Sequence, residues 1–201
     1  MSGEPIRILL LDADGVIQRM PRFLARLEEL LGDRDFLRLL FEVESQYMTG
    51  EGDLREDLTA LLAEHGLPPV VDEVLAAWLD IEPDAEVLAM ADAVRAAGVP
   101  VYLATNQQPH RGPHMMTELG YDRHFDGQFH SFQLGHAKPD PAYFTAVLDR
   151  LGAEASGVLF VDDLIENVEG ARSVGIVAEH HRRRHGAAGV RAILRRHGLL
   201  G

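Results

Sequence analysis

The chain has 201 residues, 46% hydrophobic and 25% charged, enough for one core of ordinary size and a small inserted module. Acidic residues outnumber basic ones by 32 to 19, and the net charge of −13 argues against a nucleic-acid partner and requires local positive charge for any anionic substrate. With no cysteine the chain forms no disulfide and does no thiolate chemistry, and its N-terminal apolar run is too short for a membrane span or a signal-peptide core, so a cytoplasmic protein without a membrane partner, monomer or homodimer, is expected.

After a short lead over residues 1–5, Ile6–Leu11 is apolar apart from Arg7 and predicts a strand buried on both faces of a parallel sheet. It runs into Asp12-Ala13-Asp14-Gly15. Two carboxylates at the end of a buried strand are costly unless paired, protonated or bound to a metal. Gly15 permits a sharp turn just beyond them. Asp-x-Asp-Gly also opens calcium loops and ordinary turns. Val16, Ile17 and Met20 stand where a calcium loop needs further oxygen ligands, which disfavours that reading.

Four helical patterns follow between about Pro21 and Asp80, with no strand signal among them. They carry Leu24 to Leu31, Phe36 to Val43 with Asp33 as N-cap, Leu54 to Leu62, and Val71 to Leu79. Tyr47-Met48-Thr49-Gly50 interrupts the pattern as a loop. The remainder alternates: helix Asp84–Ala97, strand Val99–Ala104, helix Pro109–Leu119, strand Gln128–Phe132, helix Pro141–Leu151, strand Val158–Val161, helix Ile165–Val174, strand Ile176–Ala178 and a closing helix over 187–198. Such alternation predicts an α/β fold, a Rossmann-like three-layer core with a mainly parallel sheet. The four helices read as an inserted four-helix cap, residues 19–81, on a core formed by 1–18 and 82–201. The basic run His180–His185 reads as solvated surface.

Each later strand also ends in polar residues. Thr105-Asn106 suits phosphate binding or a helix cap. Lys138 stands before Pro139, and Asp162-Asp163 ends another strand, with Asn167 beyond. This inventory suits phosphoryl transfer. One carboxylate can attack phosphorus and a second can move protons, while a divalent cation and a lysine offset the repulsion from phosphate. Mg²⁺ prefers such hard oxygen ligands.

In these motifs the chain resembles the haloacid dehalogenase-like hydrolase superfamily, most of whose members are Mg²⁺-dependent phosphatases. Asp12-Ala13-Asp14-Gly15 looks like its first motif, Thr105 its second, Lys138-Pro139-Asp140-Pro141 its third and Asp162-Asp163 its fourth. The resemblance implies Asp12 as nucleophile, Asp14 as general acid and base, and Thr105 and Lys138 as phosphate ligands. It implies metal ligation by Asp12, by the backbone carbonyl of Asp14 and by an acid of the fourth motif. Asp163 is preferred there, with Asp162 holding Lys138 or the water shell. Asn106 and Gly15 are expected at the substrate phosphate, and Arg19 and Tyr47, with Met48 and Thr49, on the side of the cap that faces it. The branch most similar in cap and fourth motif includes sugar-phosphate phosphatases and the phosphatase domain of soluble epoxide hydrolases. The implied activity is Mg²⁺-dependent hydrolysis of a small phosphorylated metabolite through an aspartyl-phosphate intermediate. A phosphomutase uses the same residues. A 2-haloacid dehalogenase has no task for Asp14. A non-hydrolytic phospho-switch places its paired acids early and its lysine last, unlike this chain.

Overall fold

Strand β1 (Ile8–Leu11) is the middle of the molecule. The computed structural model describes residues 5–32, 34–50 and 52–201. β1 pairs in parallel with β4 (Val101–Thr105) on one side and β6 (Val158–Asp162) on the other. β5 (Gly127–His130) extends the sheet beyond β4, and β7 (Val177–His180) extends it beyond β6, both in parallel. The order β5-β4-β1-β6-β7 reverses direction at β1. In open α/β sheets that reversal opens a crevice at the carboxyl ends of the strands.

Alternate residues of β1 and β6 enter two different cores. Leu9, Leu11, Leu159 and Val161 pack with α5 (Ala85–Ala96) and α10 (Gly186–Arg196). Leu10, Val158 and Phe160 pack with α8 (Pro141–Leu151) and α9 (Ile165–Ser173). Burial on both faces explains why these strands read as continuous apolar runs. The predicted Rossmann-like core with a parallel sheet is the fold found.

Helices α1 (Phe23–Leu31), α2 (Arg34–Gln46), α3 (Leu54–Glu64) and α4 (Val71–Leu79) lie together in sequence and share a separate cluster around Leu27, Leu40, Leu58 and Trp78. The chain enters and leaves this helical insert through β2 (Gln18–Arg19) and β3 (Glu82–Pro83), which pair antiparallel. Asp53 caps α3 and Asp84 caps α5, each accepting from backbone amides of the first turn. Asp33, the expected cap of α2, lies outside the described residues.

Several element bounds differ from the sequence reading. β2 and β3 were not foreseen, because two-residue strands have no periodicity. Phe132 is not in a strand: Ser131–Leu134 forms the short helix α7, closed by Gly135 with φ of 73°. The helix predicted over Pro109–Leu119 is the shorter α6 (Arg111–Thr117). β7 begins at Val177 and reaches His180, into the run read as surface.

Candidate active site

The carboxyl ends of β1, β4 and β6 bring Asp12, Thr105 and Asp162 to one place, because the parallel register aligns the three strand ends. Lys138 arrives from the loop between α7 and α8. Its Nζ lies 2.7 Å from Asp12 Oδ1, 2.7 Å from Asp162 Oδ2 and 2.9 Å from the carbonyl of Ala104. All three donor positions of the ammonium are thus engaged. Asn106 holds the lysine backbone in place, donating to its carbonyl and accepting from its amide, each at 2.8 Å. Asp162 also accepts from Asn167 Nδ2 and from the amide of Leu164. Burial opposes the charge on Lys138, yet the two carboxylates outweigh it and hold the ammonium above its ordinary value. Burial pushes the Asp12 carboxyl up to about 7, against the pull of Lys138.

Asp163 stands beside this pair. Carboxylate oxygens of Asp12, Asp162 and Asp163, all buried, lie within 4.8 Å of one another. Arg183 reaches in from beyond β7, and its Nε donates to Asp163 Oδ2. Burial raises the Asp163 carboxyl above its ordinary value in spite of that partner. Gly15, with φ of 90°, makes room: a Cβ there would stand 2.6 Å from Asp163 Oδ2 and from Arg183 Nε. Three buried carboxyls face two cationic side chains, so their full ionisation leaves one negative charge over. An oxygen-only donor set with excess negative charge fits a hard divalent cation.

Asp14 is held separately. Arg111, the first residue of α6, donates from Nη1 to Oδ2 at 3.0 Å and from Nη2 to Oδ1 at 3.1 Å. Gln18 Nε2 donates to Oδ1 at 2.9 Å and Gln107 Nε2 to Oδ2 at 3.3 Å. Gln107 Nε2 also donates to Thr105 Oγ1, and the Tyr121 hydroxyl donates to Gln18 Oε1. Burial opposes ionisation of Asp14, but the guanidinium and the two amides hold its carboxyl below the ordinary value. Behind Arg111, from α2 of the insert, comes Glu44, which is buried and pushed up to about 7 by desolvation despite the nearby guanidinium.

The structure brings Asp12, Asp14, Thr105, Lys138, Asp162 and Asp163 together at the strand ends, where the sequence motifs put them. Four expected substrate contacts stand differently. The Asn106 carboxamide is occupied by the Lys138 backbone, so it positions the lysine. The amide of Gly15 donates to the carbonyl of Gln18, so this residue supplies space. Arg19 is exposed in β2 and pairs with Glu82, on the rim of a cleft that Gly15 and Arg183 also line. Tyr47 is buried in the insert, and its hydroxyl donates to Asp57 Oδ2 at 2.6 Å. Reading the residues alone missed Gln18, Glu44, Gln107 and Arg111, and placed Arg183 on the solvated surface. Gln107 directly follows Thr105-Asn106 and Gln18 stands four residues after Asp14, and these were the available signals. Glu44, Arg111 and Arg183 reach the site only through tertiary packing.

A model of the haloacid dehalogenase-like hydrolase family matches residues 6–175. The chain belongs to that family. The sesquiterpene phosphatase astK of Aspergillus oryzae is 37% identical over 101 residues, half of this chain and 51% of that protein. Bifunctional epoxide hydrolase 2 of Rattus norvegicus is 43% identical over 63 residues, 31% of this chain and 11% of that protein. This chain thus spans about half of the first relative and far less of the second. Among solved structures, a HAD family enzyme of Bacteroides thetaiotaomicron, complexed with magnesium and inorganic phosphate, shares the fold. Its TM-score is 0.74 at 19% identity, over 89% of this chain and 95% of that one.

Proposed function

We propose that the protein is a Mg²⁺-dependent phosphatase of small phosphomonoesters, sugar phosphates or similar metabolites, working through an aspartyl-phosphate on Asp12. The observation that carries this reading is the contact of Lys138 with both Asp12 and Asp162, next to a third buried carboxylate, Asp163. A phosphatase among the relatives and the phosphate-bound structural neighbour support it.

Asp12 attacks phosphorus while the bond to the leaving oxygen breaks. Asp14 passes to that oxygen a proton brought in by the monoanionic phosphoester, then takes one from the water that attacks the phosphorylated Asp12 and releases phosphate. Thr105 Oγ1 and Lys138 Nζ bind the phosphate oxygens. Asp12, the backbone carbonyl of Asp14 and Asp163 are the residues that would hold Mg²⁺, with Asp162 fixing Lys138. When bound, the cation supplies positive charge that offsets the repulsion between carboxylates and a phosphate dianion. Halide displacement would leave Asp14 and the four hydrogen bonds it accepts without a task, which favours phosphoester chemistry over a dehalogenase.

The test is phosphate release from a panel of phosphorylated metabolites, with and without chelator, by the parent and by Asp12→Asn. Turnover is expected to need Mg²⁺, and the substitution is expected to remove both turnover and phosphoenzyme. Full turnover after thorough chelation would overturn the metal-assisted mechanism, and phosphoenzyme on Asp12→Asn would overturn the nucleophile.

A further inference from the structure

We infer that Arg111 is a positioning residue that holds the Asp14 carboxylate in the orientation for proton transfer, and that it acts on the reaction through Asp14 alone. This rests on the reading of Asp14 as the proton-transfer group.

Arg111 meets both oxygens of Asp14 in a parallel, two-bond contact, which fixes a carboxylate plane as a point charge does not. The arrangement is one-sided. The Arg111 side chain is 6% exposed and the Asp14 side chain 36% exposed, so the guanidinium sits behind the carboxylate and leaves its front open. The other two donors are fixed in turn. Gln18 is held by the Tyr121 hydroxyl, and Gln107 is tied to Thr105, the expected phosphate ligand. Arg111 itself is braced by Met20 Sδ at 3.1 Å and faces Glu44 of the insert. Its Nε is buried without a hydrogen-bond partner. Leaving a donor unpaired is costly, and the frame accepts that cost while meeting both Asp14 oxygens. With a nitrophenolate leaving group the first step needs little protonation, so hydrolysis of the phosphorylated Asp12 is the step in which a misplaced Asp14 carboxylate shows most.

The experiment is a double-mutant cycle with Arg111→Gln and Asp14→Asn, assayed with nitrophenyl phosphate. Arg111→Gln is expected to keep the initial burst of nitrophenol, to slow steady-state turnover about 10²-fold and to accumulate phosphoenzyme. Arg111→Lys keeps the charge without the fork and is expected to fall between the two. In the Asp14→Asn background, Arg111→Gln is expected to change turnover by less than about twofold, because the carboxylate it orients is gone. A structural role would slow both backgrounds equally and overturn the inference. Weaker inhibition by inorganic phosphate in Arg111→Gln would make it a substrate ligand, and faster turnover would make the contact a restraint; either result overturns it. Thermal melts of the same four proteins read the Arg111–Asp14 coupling without any turnover, so additive melts overturn the inference independently. Absence of phosphate release by the parent together with coupled melts would instead sink the phosphatase reading and leave the contact standing.

Discussion

Asp163 pairs with Arg183 and is also the acid proposed above to hold Mg²⁺, so on that proposal two cations compete for one carboxylate. Arg183 donates to its carboxylate from a side chain that is 64% exposed. A divalent ion on Oδ2 would have to displace it. Asp163 is buried, but the arginine end is open to solvent and screened, so the pair is taken to contribute about 1 kcal/mol, which is about fivefold in an equilibrium. Arg183→Ala is therefore expected to tighten Mg²⁺ binding about fivefold in a calorimetric titration. Unchanged or weaker binding would show that the guanidinium does not compete. The same pair marks the limit of what residues alone reveal. His180–His185 reads as a solvated charge run, and only the turn after β7 carries one of its arginines back to the strand end. Asn106 shows the converse difficulty: an amide that clamps a neighbouring loop looks, in sequence, like an amide that binds phosphate.

Helix α2 of the insert carries a carboxylate into the seam between insert and sheet. Glu44 has a folded-state value of about 7 against an ordinary 4.5, because burial penalises its charge more than Arg111 favours it. A raised carboxyl value means that its contribution to stability is fully present below about pH 4.5 and is lost as the pH rises through about 7. Glu44→Gln cannot ionise. Its stability relative to the parent is expected to increase across that window, as read by melts at several pH values. A constant difference between parent and variant would show that Glu44 does not titrate there. Elements of this kind were legible to different degrees. β1, β4 and β6 stood out because burial on both faces makes them continuously apolar. The ends of α8 and α9 were marked by Gly152 and Gly175. The meeting of Glu44 with Arg111, 67 positions apart by number, left no trace, since nothing local depends on it.

Across the whole molecule, the insert and the sheet keep separate hydrophobic clusters, with Met20 packed against both. Their shared boundary is polar: Arg111 beside Glu44, and His110 Nε2 within 3.3 Å of the Leu75 carbonyl. Separate clusters joined by a polar seam favour separate opening. Amide hydrogen exchange is expected to be slowest in β1, β4 and β6 and faster throughout α1 to α4. Equal protection in both would mean one cooperative unit. The motifs foretold that the carboxylates and the lysine would gather at the strand ends, because a parallel sheet aligns its carboxyl edges. They were silent on the seam, because which helix faces lie against the sheet is decided by the fit of two surfaces. The pairing of β2 with β3 has a consequence for descent. Gln18 and Arg19 lie opposite Pro83 and Glu82, so the insert begins and ends one strand spacing apart, about 5 Å. A tight turn would close that gap. The four helices are thus an exchangeable part, which a lineage could graft, trade or shed without rethreading the sheet that carries the chemistry.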